Sequence, residues 1–177
     1  MVSLHSLKFK MHKLLIIISV IAVTVSCSSR YTLSGTNISN DVTTFQVSTF
    51  QNNAEVVEPG IELTFTRRLQ YLIQNQTNLS LTNANGDLLY GGEITQFRIT
   101  PMTATANQLA AQNRLTITVN VRFVNKKKED DNFEKPFSFY FDYPGNELLT
   151  GSVLNNALEE IFERITQDIL NASLAKW

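Results

Sequence analysis

Few side chains in this sequence can do covalent or acid–base chemistry. The 177 residues hold one cysteine, Cys27, and two histidines, His5 and His12. Everything beyond Cys27 is therefore free of both residue types. Without them no Ser-His-Asp or Cys-His nucleophile can be assembled, and no histidine base is available near neutral pH. Zinc sites built on cysteine and histidine are excluded as well. The seven glycines form neither G-x-G-x-x-G nor G-x-x-x-x-G-K, so phosphate-cradling loops are absent. A glycosidase needs only a pair of carboxylates. Nothing in the spacing of the 16 acidic residues singles out such a pair. The expectation is a protein that is not an enzyme, with no cofactor and no metal, in which Cys27 is the side chain whose chemistry needs a reason.

Its context supplies one. Cys27 follows the apolar run Leu14 to Val25, too short for the roughly 20 residues that span a bilayer. Lys8, Lys10 and Lys13 precede the run and the small Ser26 ends it. A basic stretch, an apolar stretch and a small residue at a cut site describe a secretory signal peptide. Thr24-Val25-Ser26-Cys27 resembles the lipobox of bacterial lipoproteins, with Thr where Leu is usual. In a lipobox the cysteine is acylated and becomes the first residue of the mature chain. Residues 1–26 are thus expected to be a lipoprotein signal peptide, Cys27 the lipid anchor, and the polar residues 27–41 a lipidated tether. Residues 42–177 should form a single domain. Removing three lysines leaves 12 basic residues against 16 acidic ones, a net charge of about −4. That balance argues against nucleic acid as a partner, which calls for a basic patch.

The elements that would build this domain are legible from period. "TTFQVSTF" alternates, with Phe45 and Val47 on one side of a strand. In "EPGIELTFTRRLQYLIQNQ" the residues Ile61, Phe65, Leu69, Leu72 and Ile73 recur at helical spacing. Pro59 suits the first turn there, and Glu62 the positive end of the helix dipole. "NLSLTNANGDLLYGGEITQFRIT" reads as a short strand, an Asn-Gly-Asp turn and a longer strand. Its inward set moves from even positions (Leu88, Tyr90, Ile94) to odd ones (Phe97, Ile99), which a bulge at Thr95 or Gln96 would explain. "RLTITVNVRFVN" turns Leu115, Ile117, Val119, Val121 and Phe123 one way, and "FEKPFSFYFDY" does the same with Phe133, Phe137, Phe139, Phe141 and Tyr143. The charged "NKKKEDDN" between them reads as a solvated hairpin loop. Last comes a long amphipathic helix striped by Leu154, Leu158, Ile161, Ile165 and Ile169, with Ser152 as its N-cap.

Two apolar helices and a one-faced sheet predict an α+β fold. It should be a two-layer sandwich: a four-stranded, mainly antiparallel sheet with two helices on one face and the other face open. Ile117, Val119, Phe139, Phe141, Leu158 and Ile161 should share its core. Arg98 and Arg114, out of phase with their inward neighbours, should meet at one end of the open face, with Arg122 further along it. Guanidinium forks there suit phosphate or carboxylate oxygens. Ordinary surface arginines paired with a neighbouring carboxylate are the alternative. The uncharged loop Thr100 to Asn113 is long for a hairpin connection, and such loops are often functional. Met102, Leu109 and Gln112 are its candidate partner contacts; a locally packed hairpin tip is the alternative.

"YTLSGTNIS" after Cys27, "FQNNAEVVEPG", "NGDLLYGGEIT", "NRLTITVNVRF" and the ending "ILNASLAKW" together resemble the lipopolysaccharide-assembly lipoprotein family LptE, in its Bacteroidetes form. The resemblance implies an outer-membrane lipoprotein on the periplasmic side that plugs the β-barrel protein LptD, assists its assembly and binds lipopolysaccharide. Arg98, Arg114 and Arg122 would then face the anionic head of that lipid. "SSRY" after Cys27 lacks the acidic run that resembles a surface-export signal in this phylum, in keeping with the periplasmic side. A generic envelope lipoprotein that binds glycan or peptide, and a carboxylate hydrolase, are the other readings. Co-purification with a large barrel separates the first from LptE, and turnover of a glycan would reveal the second.

Overall fold

The alternating pattern of Gln112–Asn125 makes the central strand of the molecule. In the computed structural model of the chain, which describes residues 38–56, 58–102 and 111–174, this strand carries Leu115, Ile117, Val119, Val121 and Phe123 inward, each essentially without solvent exposure. The strands are β1 (Thr44–Val47), β2 (Gln51–Asn52), β3 (Ser80–Leu81), β4 (Leu88–Met102), β5 (Gln112–Asn125) and β6 (Phe133–Pro144). The helices are α1 (Ile61–Gln76) and α2 (Gly151–Leu174). β4, β5 and β6 form an antiparallel meander, and the sheet runs β3-β1-β4-β5-β6 with β2 also beside β4. β1 and β2 lie parallel to β4, and β3 parallel to β1.

The architecture is α+β with both helices packed on a mostly antiparallel sheet, as predicted, but the sheet has six strands rather than four. The short strand read in "NLSLT" is present as β3, whereas β2 is two residues long with no alternation to announce it. The Asn-Gly-Asp turn does not close a hairpin either. β3 and β4 lie on opposite sides of β1, because a parallel β1–β3 pair needs a crossover and α1 supplies it. The bulge is present, with the β4–β5 register shifting between Ile94 and Gln96. It carries Phe97 inward, while Ile99 is 45% exposed. Helix starts also differ by a residue or two. Gly60, at φ 84, caps α1, so Pro59 stands before the cap, and Ser152 lies within the first turn of α2. Glu62 is in the first turn of α1 as read.

One core joins the layers. Ile117, Val119 and Ile161 are fully buried in it, and Phe139, Phe141 and Leu158 pack against it half-buried, since β6 is the outermost strand. Phe65 links the helices to the sheet, edge-to-face with Phe50 at 4.9 Å and with Phe162 at 5.2 Å. Such pairs add about 0.5–1.5 kcal/mol beyond area burial. The buried polar groups are paired. Thr66 Oγ1 accepts the Phe50 N–H and donates to the Glu62 carbonyl. The Tyr90 hydroxyl donates to Ser173 Oγ at 3.0 Å, and burial pushes that phenol well above its ordinary range.

Asp87 ties the entry of β4 to that of β1. Its Oδ2 accepts the N–H groups of Thr43 and Thr44, each at 3.0 Å, and the Thr44 hydroxyl at 2.8 Å. Lys127 Nζ lies 3.3 Å from Oδ1. The Thr43 N–H first, then the Thr44 hydroxyl, hold this carboxyl well below its ordinary 3.8. A pKa depressed on folding stabilises the protein above the unfolded value, and that contribution fades as pH falls below it. Asp87→Asn should therefore cost about 1.5–3 kcal/mol at neutral pH, the range for hydrogen bonds to a charged group. Urea denaturation of both proteins should show the gap closing below about pH 4. A gap independent of pH would rule out the carboxylate as its source.

Candidate functional site

With the odd positions of β5 buried, its even positions build the opposite face, and register sets them in rows with β4 and β6. Thr100, Arg114 and Asp142 form one row; Arg98, Thr116 and Tyr140 the next. Gln96, Thr118 and Ser138 follow, joined by hydrogen bonds of 3.1 and 3.0 Å through the Thr118 hydroxyl. Beyond them lie Glu93–Asn120–Pro136 and Gly91–Arg122–Glu134. The face is polar, and neither helix of the described residues covers it.

Arg98 and Arg114 are diagonal neighbours at one end of this face, as the phase of the two strands predicted. Arg114 is held in place. Its Nε and Nη2 donate to the two oxygens of Asp142 at 2.7 and 2.8 Å, and its guanidinium lies 3.7 Å above the Tyr140 ring centroid. The pair raises the Arg114 pKa and holds the Asp142 carboxyl below its ordinary value. Asp142 takes two of five guanidinium donors, which leaves three for a ligand. Arg122, two rows past Ser138, donates through Nε to Glu134 at 2.8 Å and depresses that carboxyl. Two of the three arginines thus have a carboxylate beside them on β6. Arg98 is exposed and has no ion pair among the described residues.

The face also has a hollow of about 440 Å³, lined by Ser48, Gln51, Glu93, Asn120 and Arg122, over the bare backbone of Gly91 and Gly92. Sequence reading missed it. It missed Asp142 and Tyr140 too, although both share the parity of Ser138, which marks them as outward. Met102 and Gln112 are the last pair of the β4–β5 ladder, both half-buried. Leu109 and Cys27 lie outside the described residues, as does most of the loop. No group of three or more potential metal-ligating side chains occurs among the described residues. The arrangement offers anion donors, hydroxyls and an aromatic ring on a rigid sheet, which is equipment for binding.

No curated protein matches the chain in sequence. Among solved structures, the chain is similar to a hypothetical protein of Chlamydia trachomatis, with TM-score 0.51 and 8% identity over 76% of this chain and 99% of that one. It is also similar to a Xanthomonas campestris protein (0.49, 11%, 75% and 84%) and to rare lipoprotein B of Shewanella oneidensis (0.43, 14%, 72% and 89%). Of these three the first carries a conclusion, and that conclusion is the fold alone. The sequence profile of the family described as LptE, lipopolysaccharide-assembly, matches residues 42–173, nearly the whole described body. The chain belongs to the LptE lipopolysaccharide-assembly family, whose members are not enzymes.

Proposed function

We propose that this chain is an outer-membrane lipoprotein, anchored on the periplasmic side through Cys27, that binds the LptD β-barrel, supports its assembly and helps insert lipopolysaccharide into the outer leaflet. The observation that carries this reading is the family match over residues 42–173. The uncovered polar face supports it, since a carrier of an anionic lipid needs donors that the core has not consumed. Arg98, Arg114 and Arg122 are the donors proposed for the lipid head. Clamping by Asp142 favours this use of Arg114, because its free N–H groups are already oriented. The loop between β4 and β5, for which Met102, Leu109 and Gln112 are the candidate contacts, is proposed to touch the barrel.

Two measurements test the reading. Tagged full-length protein co-expressed with LptD should retain the barrel through purification; an eluate without barrel would remove LptD from the proposal. The double variant Arg98→Glu/Arg114→Glu should bind purified lipopolysaccharide at least about tenfold more weakly, a loss of roughly 1.4 kcal/mol, while circular dichroism shows it still folded. Unchanged lipid binding would place the site elsewhere on the molecule.

A further inference from the structure

The two edges of the meander are treated differently. β6, the outer strand on one side, carries Pro136, which has no N–H to offer, and Lys135, whose Nζ sits 5.0 Å from the rings of both Phe133 and Phe137. Proline and an inward-turned lysine are standard guards against strand addition. The other side of β4 is covered by β1 as far as Tyr90 and by β2 as far as Ile94, where the Asn53 N–H still donates to the Ile94 carbonyl. From Gln96 onward β5 is the only strand paired with β4 among the described residues. Among the described residues of this stretch, neither a proline nor an inward-turned lysine comes before Pro101.

The vacant stretch presents usable backbone. The Ile117 carbonyl accepts from Ser138 Oγ on β6, so it points away from β4, and Phe97 is opposite Ile117. Antiparallel ladders alternate by residue, so the N–H and C=O groups of Phe97 and Ile99 point outward to the open side. Beside them runs a groove of about 290 Å³ lined by Glu55, Val56 and residues 95–99. Val56 and Ile99 are 56% and 45% exposed there.

Resting on the reading that the partner is a β-barrel, we infer that β4 from Gln96 to Thr100 is a strand-addition site for an extended segment of that barrel, in which apolar residues alternate with acidic ones. Main-chain bonds to Phe97 and Ile99 would give affinity, and alternate side chains specificity. The apolar residues would lie beside Val56 and Ile99. The acidic ones follow from the pattern on the face: Arg114 and Arg122 each sit beside a carboxylate of the next strand, Asp142 and Glu134. Arg98 has no strand on its outer side, and its carboxylate is the one missing. A second copy of this chain fits badly, since antiparallel pairing of the two edges about Arg98 would bring two Arg98 side chains together, and like charges directly opposite are destabilising.

Amide hydrogen exchange tests this on full-length protein, alone and in complex with the purified barrel. The Phe97 and Ile99 amides should exchange quickly in the free protein and at least tenfold more slowly in the complex. Equal exchange in both states overturns the inference. Ile99→Pro removes an N–H that the β5 ladder does not use, so it should keep the fold and lose most of the co-purifying barrel. Barrel retained at the wild-type level by folded Ile99→Pro overturns the inference and leaves the barrel reading standing. Wild type that retains no barrel sinks both. Photo-crosslinks from position 99 to a second copy of this chain, rather than to the barrel, would also overturn it.

Discussion

Cys27→Ser is expected to move the protein from the membrane fraction to the soluble one. Serine cannot form the thioether or accept the lipids that the lipobox cysteine receives, so the substitution removes every acyl chain together. Each buried methylene contributes about 0.8 kcal/mol, and a single chain of about 14 carbons binds only marginally, so stable anchoring needs two chains or more. Losing them should change partitioning by orders of magnitude, beyond anything a surface substitution could do. Among the described residues no helix is long and apolar enough to cross a membrane. Barrel binding would hold some protein at the membrane, so the comparison belongs in cells where this chain is in excess of LptD. Carbonate-washed membranes should retain wild type and release the variant, and the wild-type N-terminus should carry the mass of its lipids. Soluble wild-type protein with an unmodified N-terminus would refute the anchor.

How far the fold could be read depends on how long each pattern runs. β5 was fully legible because five inward residues repeat without interruption, and the bulge because β4 changes parity at one point between two long runs. β2 was not, since two residues carry no period; β3 was legible as a short strand, but its parallel pairing with β1 was not, because that depends on where α1 sets the chain down. The half-exposure of Phe139 was hidden for a related reason: period tells which face a residue takes, and position in the sheet tells how well that face is covered. The open face divides in the same way. Parity placed Arg98, Arg114 and Arg122 on it, but the partners of Arg114 and Arg122 depend on the β5–β6 register, which the charged loop 126–132 sets and no local pattern states. The vacancy beside Arg98 depends on where β2 stops, which is also a property of the assembled sheet.

Gly92→Ala should be the most damaging single-methyl substitution in the sheet. Gly92 has φ 151, in the region that side chains rarely adopt, and it lies in β4 opposite Val121. A Cβ there would fall onto the Asn120 carbonyl oxygen, well inside contact distance, and would also meet the Phe50 ring at 3.0 Å. Neither neighbour can yield cheaply. The carbonyl is backbone of the strand next door, and Phe50 is buried against Phe65. Backbone strain at such a residue costs about 1–3 kcal/mol, and forcing a methyl into packed structure about as much again. The sum, roughly 2–6 kcal/mol, is a large part of the 5–15 kcal/mol that typically holds a domain together. The melting temperature should fall by about 10 °C or more. Gly91 is the control. A Cβ there meets only Ser48, at 3.8 Å for the nearer atom, and its backbone is not in the positive-φ region. Gly91→Ala should therefore melt close to wild type. Equal melting of the two variants would mean that β4 can rotate about Gly92 to accept a side chain, and that the close approach to Asn120 is not a constraint on the sheet.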